Sequence, residues 1–181
     1  MARPGGKALA LRATAGLVLL LLLSTPSSAQ PGCEALRETK VLAYRNPGWG
    51  FGMDYPASFV LDPDSVPENG DSARFWAVGG RATAVLTGLR NGQRQSLAAV
   101  LAEAERDIRD NGRGSVTYRR VTPDWFVLTG YLADRIYYRR SFLAHGGAVI
   151  ATLWIEFPPA LKPCLELAVA KMSLSFRPLG P

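Results

Sequence analysis

Histidine and cysteine are scarce in this sequence, and their scarcity excludes several kinds of site. Among 181 residues there are one histidine, His145, and two cysteines, Cys33 and Cys164. Zinc sites are built from three or four histidine, cysteine or carboxylate ligands, so a histidine- or cysteine-rich metal centre is excluded and we expect no cofactor. The sequence also lacks an apolar run of about 20 residues, the length that an α-helix needs to cross a membrane.

The first 29 residues contain no acidic residue but three basic ones: Arg3, Lys7 and Arg12. An apolar run follows at 13–23 and ends in five consecutive leucines. This run is about half of a membrane span, and small or helix-breaking residues follow it up to Ala29. A basic, an apolar and a small-residue segment in this order are typical of a secretory signal peptide. We therefore expect a signal peptide at 1–29, cleaved after Ala29, rather than a membrane anchor.

The rest of the chain, 30–181, has the composition of one globular domain. The formal net charge of +6 includes the three positive charges of the leader, so cleavage would halve it. Nucleic-acid-binding domains carry a larger basic excess, and export separates the protein from nucleic acid, so we expect no nucleic-acid partner. We expect an exported protein, periplasmic or extracellular, without a transmembrane segment after cleavage.

The two cysteines fit an oxidising compartment. In an exported protein they are expected to form one disulfide, Cys33–Cys164, which would link the two ends of the domain. Two alternatives stay open. Cys33 could carry a lipid, although the residues before it make a poor lipidation signal. Cys164 follows Pro163 at a predicted helix start, where a thiol can have a lowered pKa and react.

Alternating and continuous apolar patterns predict mainly strands. A turn-rich stretch at 44–50 precedes a predicted strand at 51–56, and Gly79-Gly80 joins two further strands at 74–78 and 81–89. Four successive strands are then predicted, at 115–121, 125–132, 136–144 and 148–157. Their connections are too short for crossover helices, so neighbouring strands should be antiparallel.

Two helices complete the predicted elements. Ser96 is a plausible N-cap for a helix with one apolar stripe that ends near Asn111-Gly112, and a second helix is predicted at 163–173. The segments Phe126–Leu128 and Val149–Ile155 are apolar on both faces, which is typical of strands covered on both sides. The expected fold class is therefore α+β, with an antiparallel β-sheet sandwiched between helices.

Several short motifs resemble those of the PsbP-like family. They are Tyr44-x-Asn46, Gly50-Phe51-Gly52-Met53-Asp54-Tyr55-Pro56, Asn69-Gly70-Asp71, Trp125-Phe126-Val127 with Gly130, Tyr137-Tyr138 and Ser175-Phe176. The likeness spans most of the chain after the leader, and the family includes many exported bacterial proteins. The resemblance implies an α/β/α fold with an antiparallel sheet between helices. It also implies binding or assembly rather than catalysis, so the first hypothesis is a non-catalytic accessory protein of the bacterial cell envelope.

The alternative hypothesis is a serine hydrolase or esterase. Gly70-Asp71-Ser72 resembles the nucleophile block of GDS-type esterases, and His145 is the one histidine that could act as base. Nucleophilic serine catalysis needs such a base, oriented by a carboxylate. No Asp-x-x-His pair and no G-x-S-x-G motif is present, so only the structure can show whether Ser72 and His145 meet.

Two charged segments are candidate binding features. The acidic loop from Asp62 to Asp71 has oxygen ligands at close spacing but departs from the EF-hand pattern, so both a cation site and a solvated loop stay open. Arginine pairs beside tyrosines form a candidate binding surface for an envelope protein or an anionic ligand, with Arg119, Arg139, Arg140 and Tyr138 as its members. Because neighbouring strand residues point to opposite faces, at most one arginine of each pair can join a given patch.

Overall fold

The structure is a computed structural model, and it describes residues 1, 2, 33, 36 and 40–180. Apart from its first two residues, the predicted signal peptide lies outside the described residues. The predicted disulfide between Cys33 and Cys164 is present and joins Cα atoms 5.1 Å apart. In the described part of the chain, no helix combines the length and the apolar character that crossing a bilayer requires.

Ten strands and two helices make up the described part of the domain. The strands are β1 Val41–Asn46, β2 Phe51–Pro56, β3 Val60–Asp62, β4 Ser72–Ala77, β5 Ala82–Arg90, β6 Ser115–Val121, β7 Trp125–Leu132, β8 Arg135–Ala144, β9 Val149–Phe157 and β10 Arg177–Pro178. The helices are α1 Leu97–Arg106, which continues into one wider turn over Asp107–Asn111, and α2 Lys162–Ser175.

The strands form two antiparallel sheets. Seven strands make the large sheet in the order β3-β4-β5-β9-β8-β7-β6, and β1-β2-β10 make a small one. The strands β6 to β9 follow one another as hairpins, as their short connections predict. One predicted feature is wrong. The turn predicted at 44–50 is confined to 47–50, because β1 continues to Asn46 by pairing with β2.

Helix α1 covers one face of the large sheet. The Ser96 hydroxyl accepts a hydrogen bond from the Ala99 amide, which confirms the predicted N-cap. The apolar stripe of the helix buries Val100, Leu101 and Ala104 against residues of the three central hairpin strands. Those residues are Phe126, Leu128, Tyr137 and Ile150.

The opposite face is covered by α2 together with the small sheet. The helix buries Leu165, Ala168 and Met172 against the larger of two apolar clusters, to which β2 contributes Phe51 and Met53. Sequence patterns predict only a helix on this side. The small sheet also covers this face, because β10 follows α2 directly and pairs with β2. The predicted sandwich with the antiparallel sheet between two covering layers is confirmed.

Tyr137 in the α1-side core gives a pH dependence that can be tested. Its side chain is fully buried, and burial raises its pKa to about 12, with nearby Arg139 lowering it and Glu105 raising it. Because the unfolded phenol titrates near pH 10, the folded state keeps a proton that the unfolded state loses between pH 10 and 12. The free energy of unfolding contributed by Tyr137 therefore falls as the pH rises through this range.

Urea unfolding of the wild-type protein and Tyr137→Phe between pH 9 and 11.5 measures this effect. The phenol donates a hydrogen bond to the Ser115 carbonyl at 3.2 Å, so the wild type should be about 1 kcal/mol more stable at pH 9. We expect that advantage to shrink as the pH rises. Parallel stability curves for the two proteins would show that Tyr137 does not titrate in this range.

Candidate binding groove beside Trp125

The four residues of the predicted binding surface lie on two faces of the large sheet. Arg119 and Arg139 face α1, where Arg119 pairs with Glu105 and Arg139 lies over the ring of Phe126. Arg140 and Tyr138 line a groove on the α2 side. The structure therefore does not bring the four together as one patch.

On the α1 side, the two arginines have partners within the protein. The Arg119 Nε donates to Glu105 Oε1 at 2.7 Å, and the Arg139 Nε donates to Ser141 Oγ at 3.2 Å. Burial lowers the pKa of Arg139, and the acidic residues Asp107 and Glu103 oppose that shift. The Arg119–Glu105 pair links α1 to β6, so Arg119 has a structural role on this side.

A bulge in β6 decides which side chains reach the α2 side. Val116 pairs with Gly130, but Tyr118 pairs with Thr129, so one extra residue, Thr117, stands between the two pairs. The extra residue inverts the alternation along the strand. Val116 therefore packs into the α1-side core, whereas Tyr118 and Arg120 face the opposite side.

The groove lies between α2 and the outer strands β6, β7 and β8. We call it the Trp125 groove, and it has a volume of about 380 Å³. Strand residues on its floor and wall are Tyr118, Arg120, Trp125, Val127, Thr129, Ile136, Tyr138, Arg140 and Phe157. Helix residues on the other wall are Lys162, Glu166, Val169, Ala170, Ser173 and Leu174. This volume falls in the range of small-ligand sites.

Two arginines flank the indole of Trp125 at one end of the groove. The guanidinium carbon of Arg140 lies 4.2 Å from the ring centroid, and that of Arg120 lies 5.4 Å from it. Strand pairing explains the placement, because Arg120 and Arg140 both pair with Val127 from opposite sides of β7. Cation–π attraction to the indole holds both groups.

The charge of Arg140 is buried without an anionic partner. Only 9% of the residue is exposed, and its Nε atom is buried with no hydrogen-bond partner. Within residues 40–180, the side chain of Arg140 forms no ion pair and no hydrogen bond. Burial lowers its pKa, nearby Tyr138 opposes that shift, and Arg120 adds to it by like-charge repulsion. The arrangement favours a negatively charged group that would bind from outside.

A hydrogen bond between Tyr138 and Ser173 joins the two walls of the groove. Their hydroxyl groups are in direct contact and link β8 to α2. Burial raises the pKa of Tyr138, whereas the Ser173 hydrogen bond and the Arg140 charge lower it. The pair is therefore a fixed polar contact between the two walls.

The groove beyond the arginines is mainly apolar. Val127, Ile136, Phe157 and Val169 line it, and Leu174 at its rim is 78% exposed. Lys162 and Glu166 line it near the start of α2. The Trp125 groove thus combines a cationic end with an apolar body.

Trp125 and Arg120 line the groove but are not among the residues that the sequence predicts for the binding surface. An aromatic residue such as Trp125 is more often part of a core than of a binding site. Strand alternation leaves open which arginine of each pair faces the α2 side. Strand alternation does predict that Arg120 and Tyr118 share a face, because they are two positions apart in one strand. The bulge that places them on the same face as Trp125 and Arg140 has no clear signal in the sequence.

The residues of the alternative hydrolase hypothesis are far apart across the sheet. Ser72 opens β4 and pairs with Thr87, whereas His145 follows the end of β8. The strand order β4-β5-β9-β8 separates them by about 14 Å at about 4.8 Å for each strand. Within residues 40–180, no hydrogen bond links the two, and the His145 ring lies against Gly50.

Asp62 in the acidic loop is used within the structure. One carboxylate oxygen accepts from the Asp64 amide at 3.2 Å, and the other accepts from the Trp76 indole at 3.2 Å. In the described part of the chain, no group of three histidine, cysteine or acidic residues is placed to hold a metal ion. These contacts give Asp62 a role in turn formation.

Comparison with known proteins identifies the fold. No protein-family model matches the chain, and no curated protein sequence is significantly similar to it. The solution structure of cyanobacterial PsbP (CyanoP) from Synechocystis is similar, with a TM-score of 0.57 and 10% identity over 76% of this chain and 92% of that chain.

The crystal structure of the Ran-binding protein Mog1p from Saccharomyces cerevisiae is similar to the same degree. Its TM-score is 0.57, with 10% identity over 77% of this chain and 96% of that chain. Both likenesses extend over nearly the whole of the known domain. The chain therefore has the PsbP-like fold.

Proposed function

We propose that this chain is an exported, non-catalytic binding or assembly accessory protein of the bacterial cell envelope. Its partner, an envelope protein or an anionic ligand, binds in the Trp125 groove. One observation carries the proposal: Arg140 is buried at the groove with its charge unpaired in residues 40–180. Leaving a buried charge without a partner costs free energy, and such costs are typical of functional sites.

Three further features support a binding role. The groove residues are fixed by the sheet, by stacking on Trp125 and by the Tyr138–Ser173 hydrogen bond, so the site is formed before any partner arrives. The same fold serves as a Ran-binding protein in yeast, so the architecture supports macromolecular recognition. The disulfide and the leader-like first segment support export.

The proposal predicts that capture of the partner depends on the groove. We expect tagged wild-type protein to retain a specific component of its own envelope extract, and Arg140→Gln to retain at least tenfold less of it. The expected loss corresponds to about 1.4 kcal/mol or more, the usual range for a hydrogen bond to a charged group. Quantitative mass spectrometry of the captured material measures the difference.

Arg119→Gln is the control, because Arg119 is exposed like Arg120 but lies on the opposite face of the same strand, outside the groove. It should retain as much of the component as the wild type. Leu174→Glu, which places a negative charge on the exposed rim, should reduce retention as Arg140→Gln does. Equal recovery by all four proteins would show that the Trp125 groove is not the binding site.

A further inference from the structure

We propose that the Trp125 groove binds a single-chain amphiphile with a carboxylate head, such as a fatty acid. The head would lie between Arg140 and Arg120, and the apolar chain would follow the groove towards Phe157. This inference rests on the proposed binding function and names the ligand class for the same site.

The arginine end of the groove fits a carboxylate. Two guanidinium groups lie over one indole, with their carbons 4.2 and 5.4 Å from the ring centroid, so cation–π attraction restrains both of them. Only Nε of Arg140 is wholly shielded, and its terminal nitrogens make no hydrogen bond within residues 40–180. A planar carboxylate matches the fork of a guanidinium and forms short, charge-assisted hydrogen bonds with it.

A phosphate head fits this end less well. Phosphate sites in proteins typically use backbone N–H groups at the start of a helix. Here Arg120, Trp125 and Arg140 all come from strands, whereas α2 begins at Lys162.

The body of the groove fits an apolar chain. Between the arginines and the start of α2, it is lined by Val127, Ile136, Val169 and Phe157, and Leu174 extends the apolar surface to the rim. The volume of about 380 Å³ lies at the low end of the range for small-ligand sites, which favours one chain over two. An exposed leucine at the rim of a cationic, apolar groove is the surface that an anionic amphiphile would cover.

Calorimetric titration of the purified full chain with dodecanoate, below its micelle concentration, tests the proposal. We expect saturable binding of one molecule. Uncharged dodecanol should bind at least tenfold more weakly, because it cannot pair with the arginines. Hexanoate should also bind at least tenfold more weakly, since affinity falls about two- to fourfold for each methylene that the groove no longer covers. Dodecyl phosphate tests the choice of head group, and we expect it to bind more weakly than dodecanoate.

Two variants test the head-group contacts. Arg140→Gln and Arg120→Gln should each weaken dodecanoate binding about tenfold, and Arg119→Gln should leave it unchanged. Because Arg120 is exposed, its replacement tests the contact even if Arg140→Gln destabilises the fold. Circular dichroism checks that each variant is folded.

Four outcomes would overturn the proposal. They are equal affinity for dodecanol and dodecanoate, tighter binding of dodecyl phosphate, equal binding by wild type and Arg120→Gln, and binding of an acidic peptide without binding of dodecanoate. The last would assign the groove to an extended protein segment. If dodecanoate does not bind while envelope capture still depends on Arg140, the ligand class is wrong and the binding function stands. If capture is independent of the groove, the binding function itself fails.

Discussion

Loss of the Cys33–Cys164 disulfide is expected to lower the free energy of unfolding by roughly 5 kcal/mol. The bond closes a loop with a sequence separation of 131 residues, and the chain-entropy model gives a loop of this length close to that value. Domains typically have only 5–15 kcal/mol of stability, so the loss would remove a large part of the total. For a domain of this size it corresponds to a fall in the melting temperature of about 10 °C or more.

The local structure explains why the bond matters in the folded state as well. Cys164 lies in the first turn of α2, the helix that covers the apolar cluster of the large sheet. Leu36, three residues after Cys33, is buried in the same cluster at 8% exposure. The disulfide therefore ties Cys33 to the first turn of the helix whose buried residues share a cluster with Leu36.

Thermal unfolding with and without reductant, and of Cys33→Ser with Cys164→Ser, measures the effect. The double variant should melt at the temperature of the reduced wild type, and reductant should not shift it further. A wild-type melting temperature that changes by less than about 2 °C on reduction would contradict the loop-closure argument. The single variants add a check, because each leaves one free thiol and should be as unstable as the double variant.

The central part of the fold was predictable because its pairings are local. The strands β6 to β9 follow one another through tight turns, and their apolar patterns predict both their positions and their burial on two faces. The N-cap at Ser96 and the start of α2 near Pro163 also depend on nearby residues alone. Local patterns of this kind are read directly from the chain.

The outer strands β1, β3 and β10 were not predictable because their residues carry weak local patterns. β1 is half exposed along its whole length, and β3 and β10 contain three and two residues. β1 and β3 pair with the next strand along the chain, whereas β10 is a strand because Phe51 and Gly52, which are distant in sequence, pair with it. A pattern of three residues or fewer carries no detectable periodicity, so tertiary pairing decides these elements.

The candidate site was predicted in part. The sequence marked the arginine–tyrosine segments, and Arg140 and Tyr138 do line the groove. It could not decide between Arg119 and Arg120, because a single extra residue in β6 inverts which of them faces Trp125. One-residue register changes move every side chain of a strand to the other face, and they leave little trace in composition.

Gly130→Ala is expected to destabilise the protein by about 3 kcal/mol. Gly130 faces Val116 at the β6 bulge, and a methyl group there would coincide with the Ser115 carbonyl oxygen, a backbone atom. Relief of this clash requires β6 to move away from β7, which also breaks the hydrogen bond from Tyr137 to Ser115. Overpacking costs about 1–3 kcal/mol and a lost buried hydrogen bond adds about 1 kcal/mol.

The direction of the stability change distinguishes a clash at the bulge from the ordinary preference of strands for alanine over glycine. Alanine is normally better than glycine inside a strand by about 0.5–1 kcal/mol, so a site without a clash should gain stability from the same change. Gly92→Ala, in the turn after β5, is the control for a site without a clash, since no atom lies within 4 Å of a Cβ built there and its backbone is not left-handed. Urea unfolding of both variants measures the difference, and a Gly130→Ala protein within about 0.5 kcal/mol of Gly92→Ala would show that β6 adjusts freely.

The same substitution reaches the Trp125 groove through the bulge. Tyr118 and Arg120 face the groove only because Thr117 is inserted between the Val116 and Tyr118 pairs. Displacement of Ser115 would disturb the adjacent bulge and so the orientation of Tyr118 and Arg120. Gly130→Ala should therefore weaken groove binding as Arg120→Gln does, although Gly130 does not line the groove. Binding measured at a temperature where the variant is fully folded separates this effect from unfolding. Unchanged affinity would mean that the orientation of Arg120 is set by its stacking on Trp125 and not by the register of β6.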